Sequence, residues 1–359
     1  MKRIGILTFH AAHNYGAVLQ CYALQEFLHS KGHEVEIIDY RLPSIVNGYH
    51  WFKLNRFISK NPYKLLKKTI YELHLIKKRK QRYDAFETFI NERLNLAPIE
   101  KIFDNPYDII IIGSDQVWNY NLTNGFDHYY WGNFPHPPQT KIISYAASMH
   151  DNWPNSYDDI IVKKLKKLDF ISVRELSLAK KLSKLLPNKE IHSVIDPTLL
   201  IKKEQWDNIA KRPKINYPYL LLYQVERDTK SEYIAEKIAK RKNLKIVYLS
   251  AHVSDINTNK VIASSPEEFI GLFKYAEFIV CSSFHGTIFS LQFAKPFVSV
   301  KMGLGKDSRV GNLLRDLNLK DLFISNYNEI NDKTLDSVIL NERINHLRIK
   351  TIKLLEKFL

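Results

Sequence analysis

Short runs of apolar residues alternate with longer amphipathic stretches along most of the chain. The runs have the length and bulk of buried strands, and the stretches repeat their apolar residues with a helical period. In the first part of the chain, strands are predicted at residues 3–9, 34–40, 107–115, 141–148, 170–175 and 191–196. Helices are predicted at residues 17–31 and 176–186 and in a long stretch that ends at Arg93. This alternation indicates a parallel sheet that helices cover on both faces.

The alternation breaks once and then starts again. Residues 196–218 contain three prolines and no clean period, so a domain boundary is expected there. Further strands are predicted at residues 219–225, 245–250, 277–283 and 296–300, and the tail from Thr334 reads as one helix. We therefore expect an α/β fold of two Rossmann-like, doubly wound domains that face a cleft, and a long C-terminal helix. The predicted domains are residues 1–205 and 206–335, with the helix at 336–359.

The composition excludes several classes of protein. Of the 359 residues, 45% are hydrophobic, which excludes a disordered chain and is enough for two cores. Cys21 and Cys281 are the only cysteines, which excludes a disulfide framework and is typical of a reducing cytoplasm. No apolar run approaches the roughly 18 residues of a membrane span. A soluble, cytoplasmic protein is expected.

The net charge of +15 is concentrated in one segment. Between Trp51 and Arg82, eleven lysines and arginines accompany a single acidic residue, Glu72. Bulky apolar residues are interleaved with these charges at helical spacing, a pattern typical of a helix that lies on anionic lipid headgroups. No zinc-finger, RNP-type or helix-turn-helix signature is present, so nucleic acid is not expected as a partner. We predict that residues 51–82 form a basic amphipathic insertion in the first domain that contacts the inner face of the cytoplasmic membrane. The alternative is a solvated helix pair that covers the domain's own core.

The stretch CSSFHGTIFS, which begins at Cys281, carries the most informative chemistry. It ends a predicted strand on Ser282 and Ser283 and starts a helix at Gly286. A helix N-terminus presents unpaired N–H groups and partial positive charge, which suit an anion. His285 can donate a proton near neutral pH. The pattern is compatible with a site that holds and protonates an anionic ligand, and helix capping by a serine with packing of the histidine is the alternative that residues of this kind adopt more often.

Other unusual loops also follow predicted strands. They are HAAHNYGAVLQ after the first strand, GSDQVWN after the strand that starts at Tyr107, and SVRE after the strand that starts at Phe170. None is a GxGxxG or GxxxxGK[ST] sequence, which weakens dinucleotide-binding and P-loop interpretations. Glu26, Asp39 and Asp115 have no partner spacing that would suggest a metal site, so no metal is expected.

Seven motifs occur in order along the chain: NYGAVLQCYALQEFL, IIGSDQVWN, SYAAS, ISVRE, VIDPTLL, SSFHGTIFSLQFAKPFVSV and DSRVGNLL. Together they resemble the polysaccharide pyruvyl transferase family over residues 3–325. The resemblance implies two Rossmann-like domains in a glycosyltransferase-B-type arrangement. It also implies transfer of a pyruvyl group from phosphoenolpyruvate to two hydroxyls of a sugar, which gives a cyclic ketal and phosphate. The implied acceptors are bacterial capsule, exopolysaccharide or cell-wall sugars, often lipid-linked, and no cofactor is implied beyond the donor substrate.

The resemblance implies roles for residues on the donor side. His285 is the candidate general acid that protonates C3 of phosphoenolpyruvate. The predicted phosphoenolpyruvate site comprises Arg174, Ser282, Ser283, Phe284, His285, Gly286 and Arg309, with Lys301 as a further basic candidate. Members of the family commonly have an arginine two positions before the histidine, where this chain has Ser283. The other interpretation of Arg174 and Arg309 is that each forms a surface ion pair.

Acceptor recognition is expected in the loops of the first domain, at Asn14, Tyr15, Asp115 and Trp118. Trp118 is expected to stack on a sugar face, and Asn14 and Asp115 to bond its hydroxyls. Asp115 is also the candidate base that takes a hydroxyl proton. The alternative interpretation is core packing for Trp118 and loop capping for Asn14 and Asp115.

Two other functions remain open on the sequence. The expected architecture also serves nucleotide-sugar-dependent glycosyltransferases of capsule or exopolysaccharide synthesis. Against that function, SSFHGTIFS contains no acidic residue placed to hold a ribose. The second alternative is a non-catalytic glycan-binding or lipid-binding protein, which the serine at position 283 makes conceivable.

Overall fold

A computed structural model of the chain describes residues 1–52, 62–104, 107–250, 264–303, 307–330 and 335–359. The elements up to residue 202 are β1 Arg3–Leu7, α1 Tyr15–Ser30, β2 Glu34–Asp39, α2 Pro43–Val46, α3 Pro62–Arg93, β3 Leu96–Pro98, α4 Lys101–Asp104, β4 Ile109–Asp115, β5 Lys141–Ala147, α5 Asp158–Leu165, β6 Phe170–Val173, α6 Leu176–Leu185 and β7 Ile191–Ser193. The later elements are α7 Lys203–Ile209, β8 Tyr219–Gln224, α8 Thr229–Lys242, β9 Lys245–Ser250, α9 Pro266–Tyr275, β10 Phe278–Cys281, α10 Phe284–Gln292, β11 Phe297–Val300, α11 Ser308–Asp316, β12 Phe323–Ile324 and α12 Ser337–Leu355. Single 3₁₀ turns cover Asn47–Tyr49, Asn155–Tyr157, Pro197–Leu199, Lys320–Leu322 and Tyr327–Glu329.

The strands form two sheets, one of seven strands in the order β3-β2-β1-β4-β5-β6-β7 and one of five in the order β12-β11-β10-β8-β9. All neighbouring strands pair in parallel. The strand order reverses between β1 and β4 in the first sheet and between β8 and β10 in the second, so the crossover helices cover both faces. The predicted α/β class, with two doubly wound parallel sheets, is confirmed. Ligands of such sheets bind outside the carboxyl ends of the strands at the point of reversal.

The chain divides into two compact units. The first comprises Met1–Gly48, Ile90–Lys202 and Asn341–Leu359, and the second comprises Tyr49–Phe89 and Lys203–Leu340. Sequence analysis assigns residues 51–82 to the first domain, whereas residues 49–89 group with the second unit. Helix α3 has 32 residues and is therefore about 48 Å long. In the sequence α3 lies between β2 and β3, two strands of the first sheet. This position alone does not predict that most of the helix groups with the second unit.

Buried apolar residues along the strands build the cores. The first four residues of β4 are isoleucines, and all four are buried, as expected for a central strand of a parallel sheet. In the second unit, Leu220 of β8 and Val280 of β10 belong to one buried cluster with Ile234 and Ile238 of α8. The same packing holds the carboxyl ends of β8 and β10 side by side.

The predicted C-terminal helix is confirmed as α12, and its last part packs within the first unit. The Nε of Arg348 donates a hydrogen bond to the carbonyl oxygen of Leu199 at 2.8 Å. The hydroxyl of Thr351 accepts one from the backbone N–H of Ile195 at 3.4 Å. Within the ranges described above, no helix combines the length and the apolar character needed to cross a bilayer.

Candidate active site

The start of α10, in the second unit, is fixed by a serine cap. Ser283 has extended backbone angles, and its Oγ accepts a hydrogen bond from the backbone N–H of Gly286 at 2.9 Å. Its carbonyl oxygen accepts a second bond, from the N–H of Thr287 at 3.0 Å. Capping by a serine, one of the two interpretations open on the sequence, is therefore confirmed for Ser283. The cap places His285 in the first turn of the helix, where the N–H groups and the helix dipole favour an anion.

Gly286 allows this helix start to lie directly on the strands. A Cβ at this position would lie 2.8 Å from the Oγ of Ser283 and 2.9 Å from both the Cβ of Cys281 and the Cδ1 of Tyr223. Side chains do not tolerate such distances, so any larger residue would push α10 away from β8 and β10. The glycine therefore holds the N–H groups of the first turn at the carboxyl ends of the two strands where the sheet order reverses.

Arg309 approaches this helix start from the first turn of α11. It is the second residue of α11, and its Cζ lies 5.9 Å from the centroid of the Phe284 ring. The rings of Phe284 and His285 meet edge to face with centroids 5.4 Å apart. The structure thus brings together the predicted second-domain residues of the phosphoenolpyruvate site. Lys301, the further basic candidate, has its Nζ 5.4 Å from the centroid of the Phe323 ring.

Two buried polar atoms lie at the same strand ends without a hydrogen-bond partner in the described part of the chain. They are the Oγ of Ser282 and the Oε1 of Gln224. Tyr223 and Cys281 are register partners, so Gln224, which ends β8, lies beside Ser282, the residue that follows β10. The Nε2 of Gln224 donates to the carbonyl oxygen of Asp228 at 2.7 Å, which fixes the orientation of the amide. Both atoms are therefore candidates to contact a ligand.

Gln224 is not among the site residues predicted from the sequence. Its signal is weak but visible, because a glutamine ends the otherwise apolar strand YLLLYQ.

Hydroxyl groups and a thiol pack beneath the start of α10. The hydroxyls of Thr287 and Ser299 lie 2.7 Å apart, and the Sγ of Cys281 is 3.6 Å from the Oγ of Ser299. Burial raises the pKa of the Cys281 thiol. Cys281 is consequently a packing residue and a poor nucleophile.

In the first unit, Arg174 lies among three carboxylates. Its guanidinium group is 2.9 Å from Asp196, 3.5 Å from Glu175 and 3.8 Å from Asp115, with only 2% of the side chain exposed. Burial by itself would lower the pKa of Arg174, but the carboxylates of Glu175, Asp196 and Asp115 raise it above its ordinary value. The arginine therefore balances internal negative charge at the ends of β4 and β6. The phosphoenolpyruvate contact predicted for Arg174 stays a prediction, and the ion pair that was the alternative is present but is buried and not at the surface.

Two of the predicted acceptor residues, Asp115 and Asn14, accept hydrogen bonds from backbone N–H groups close to them in the chain. Asp115 ends β4 with a φ of 75°, and its Oδ1 accepts a hydrogen bond from the N–H of Gln116 at 2.8 Å. Asn14 caps α1, and its Oδ1 accepts from the N–H of Gly16 at 3.0 Å. Asn14 therefore has the capping role that was the alternative interpretation, whereas Asp115 bonds to the N–H of the next residue, and both lie at the carboxyl edge of the first sheet.

Trp118 and Tyr15 are fully buried. The indole N–H of Trp118 donates to the carbonyl oxygen of Tyr130 at 2.8 Å, and its ring stacks on Trp131 with centroids 5.3 Å apart. Core packing, the alternative interpretation of Trp118, describes its position in this structure. The sequence motif alone does not distinguish a buried tryptophan from one that presents its face to a sugar.

A histidine–aspartate pair at the same edge was missed from the sequence. The Nε2 of His10, after β1, lies 2.9 Å from the Oδ1 of Asp39, at the end of β2. Arg41 donates to the same oxygen through its Nε at 2.8 Å. The hydrogen bond with His10, helped by Arg41 against the opposing effect of burial, lowers the pKa of Asp39 to about 2. The signal in the sequence is the histidine that opens the first strand-end loop, HAAHNYG, but its partner Asp39 lies at the end of a different strand.

The two sheets define an α/β protein in which polar and charged groups gather at strand carboxyl ends, and the capped start of α10 in the second unit is the candidate anion site. The family model for polysaccharide pyruvyl transferases matches residues 14–302, more than half of the chain. The chain belongs to this family.

Comparison with solved structures gives similarities at low sequence identity. The S. aureus MnaA–UDP structure is 13% identical, with 97% of this chain and 90% of that chain covered and a TM-score of 0.46. The UDP-GlcNAc 2-epimerase of Methanocaldococcus jannaschii with UDP-GlcNAc and UDP is 12% identical, with 96% and 93% covered and a TM-score of 0.45. Anabaena HepE with UDP and glucose is 8% identical, with 99% and 100% covered and a TM-score of 0.47. No curated protein matches the chain. The family assignment rests on the family model alone.

Proposed function

We propose that the protein transfers the pyruvyl group of phosphoenolpyruvate to two hydroxyls of a sugar, forming a cyclic ketal and releasing phosphate. Family membership supports the class of transferase. The observation that carries the proposal is the start of α10. His285 lies in the first turn of this helix, and the guanidinium of Arg309 lies beside the ring of Phe284. Phosphoenolpyruvate carries a carboxylate and a phosphate, and a helix N-terminus with a nearby arginine suits such a dianionic ligand.

In this proposal, His285 is the general acid. It donates a proton to C3 of phosphoenolpyruvate, and the electrons of the C2–C3 double bond form the new C–H bond. A sugar hydroxyl then bonds to C2, which has become electron-poor, and loses its own proton. Phosphate leaves with the electrons of the C2–O bond, and the second hydroxyl takes its place. One hydroxyl proton restores His285, and the other leaves with the products, so the atoms balance.

The donor anions are assigned to α10 and α11. The N–H of Gly286 is taken by the cap, so the N–H groups of Phe284 and His285, with the guanidinium of Arg309, bind the phosphate and carboxylate of phosphoenolpyruvate. This assignment gives Arg174 a different role, because its guanidinium already balances Asp115, Glu175 and Asp196. We assign Arg174 the role of positioning Asp115.

The acceptor is assigned to the carboxyl edge of the first sheet. Oδ1 of Asp115 is engaged by the backbone of Gln116, and Oδ2 is the oxygen proposed to bind a sugar hydroxyl and take its proton. Asn14 offers its amide N–H groups to the same sugar while its Oδ1 caps α1. Because Tyr15 and Trp118 are buried, we assign them a packing role and no contact with the sugar. The proposed acceptor is a lipid-linked precursor of a capsule or exopolysaccharide glycan.

The test is a phosphate-release assay with purified protein, phosphoenolpyruvate and a panel of galactose-type and glucosamine-type acceptors. Phosphate release that depends on the acceptor supports the proposal. Release of UDP from a sugar nucleotide, with no phosphate from phosphoenolpyruvate, supports a glycosyltransferase instead. Glycan affinity without either product supports a non-catalytic binding protein.

A further inference from the structure

Helix α3 buries one side in the usual way. Glu72, Leu75, Arg79, Arg82 and Phe86 are all buried. They follow one another at intervals of three or four residues, so they lie on one face of the helix. This face contains both a leucine and a phenylalanine, and it accounts for the packing of the helix within the protein.

The opposite face is also apolar along its first three turns. The exposed fractions are 66% for Tyr63, 60% for Leu66, 60% for Ile70 and 57% for Leu73. These residues again follow at intervals of three or four, and the exposed Lys77 and Lys80 continue the same row. We name these six residues the outer row of α3. Four large apolar side chains in one exposed row are unusual on a soluble surface, where apolar residues normally occur singly.

The structure changes the role expected for the basic residues of this segment. Arg79 forms a buried ion pair with Glu72, and the Cζ of Arg82 lies 4.5 Å from the centroid of the Phe86 ring. These two arginines stabilise the inner face of the helix. Lys53, Arg56 and Lys60, and the side chains of Lys64, Lys67 and Lys68, lie outside the described residues. The described contact surface is therefore an apolar row with lysines at one end.

We propose that the outer row of α3 binds the surface of an anionic lipid bilayer, with its apolar residues at the boundary between headgroups and acyl chains. An apolar helix face bordered by lysines is the arrangement that binds such a boundary. Besides the buried Arg79 and Arg82, residues 51–82 contain nine basic residues, whose positive charge complements anionic headgroups. The same charges oppose the pairing of this face with a second copy of itself, and the apolar side chains do not suit a nucleic acid backbone.

The experiment is co-sedimentation of the full chain with vesicles of phosphatidylcholine alone or mixed with phosphatidylglycerol. One variant carries Leu66→Ser, Ile70→Ser and Leu73→Ser, and a second carries Lys77→Gln and Lys80→Gln. The control carries Ile160→Ser, Ile339→Ser and Ile349→Ser, three exposed isoleucines outside the outer row. Circular dichroism verifies that all variants remain folded.

We expect wild type and the isoleucine control to bind the anionic vesicles equally. The triple serine variant should bind at least about tenfold more weakly at low and high salt, because it lacks apolar area. The lysine variant should bind more weakly at low salt only, because salt screens headgroup attraction. The proposal would be overturned if wild-type protein did not bind anionic vesicles, or if the triple serine variant bound them as well as wild type.

A lipid-free dimer that the serine substitutions dissociate, without vesicle binding, would assign the row to a second copy instead and would also overturn the proposal. Turnover on a water-soluble acceptor is independent of all these outcomes.

Discussion

The Cζ of Arg309 lies 5.9 Å from the centroid of the Phe284 ring, although the two residues belong to different strand–helix connections of the second unit. Phe284 is the first residue of α10, and Arg309 is the second residue of α11. The contact, of the cation–π type, holds a guanidinium group beside the helix turn that carries His285. It supplies a cation at a helix start whose cap is the uncharged Ser283.

Replacing Arg309 with glutamine should raise the KM for phosphoenolpyruvate about tenfold or more. The reason is the loss of a charge-assisted contact to a largely desolvated anion, worth about 1.5–3 kcal/mol. Arg315→Gln is the matched control, because Arg315 lies on the same helix and is exposed. Steady-state kinetics at saturating acceptor measure both variants. If the KM of the Arg309 variant equals that of the control, Arg309 does not contact phosphoenolpyruvate.

Adjacent serines at the start of α10 should respond differently to alanine substitution. Ser283→Ala should lower the free energy of unfolding by about 1 kcal/mol, because the helix loses its cap. Ser282→Ala should leave stability unchanged, since its hydroxyl has no hydrogen-bond partner in the described residues. If the Ser282 hydroxyl contacts a substrate, this variant should raise one KM about two- to tenfold. Urea unfolding and kinetics on the same preparations measure both effects, and equal destabilisation by the two variants would show that the Ser282 hydroxyl is structural.

Replacing Arg174 with methionine should destabilise the first unit. The change leaves Asp115, Glu175 and Asp196 without their shared cation, and uncompensated buried charges of this kind cost about 3–5 kcal/mol. Arg227→Met is the control, because Arg227 forms an exposed ion pair with Glu232 and should unfold like wild type. Urea denaturation measures both. A stable Arg174 variant with a raised KM for phosphoenolpyruvate would instead indicate that this arginine contacts the donor substrate.

Asp39 should contribute stability that depends on pH in the acid range. Its folded pKa is lowered from 3.8 to about 2, so its contribution is complete above pH 3.8 and is lost as the pH falls towards 2. Because the carboxyl group is partly exposed to solvent, the contribution is about 1 kcal/mol. The difference in unfolding free energy between wild type and Asp39→Asn should therefore shrink between about pH 4 and pH 2. A difference that stays constant through this range would show that the pair with His10 does not lower the pKa.

Much of the fold was predictable from the sequence. Apolar runs such as IIII in β4 and LLL in β8 are long enough to be recognised as buried parallel strands. The edge strands Leu96–Pro98 and Phe323–Ile324 were missed, because three and two residues show no period. The packing of α12 depends on contacts such as that between Arg348 and Leu199, which join distant parts of the chain and have no local signal.

The candidate site was predictable in the second unit and less so in the first. Ser282 to Gly286 form one continuous motif, so their strand, cap and helix start follow from local rules. The environment of Arg174 depends on Asp115 and Asp196, which are far from it in sequence and adjacent only across the sheet. The same holds for the pair of His10 and Asp39. Single-sequence patterns identify such residue types but not their partners.

Solvent deuterium in the product tests the central claim most directly. The reaction is run in ²H₂O with phosphoenolpyruvate and an acceptor sugar. Three proteins are compared: wild type, His285→Gln and the control His346→Gln, whose histidine is exposed. Phosphate release is measured, and mass and NMR spectra of the product are recorded. We predict acceptor-dependent phosphate release and a ketal whose methyl group carries one deuterium. The rate should fall by about 10²- to 10⁴-fold in His285→Gln, with phosphoenolpyruvate still bound, and should be unchanged in His346→Gln. The account would be contradicted by a His285 variant within about threefold of wild type, or by wild-type protein that releases no phosphate from phosphoenolpyruvate with any acceptor.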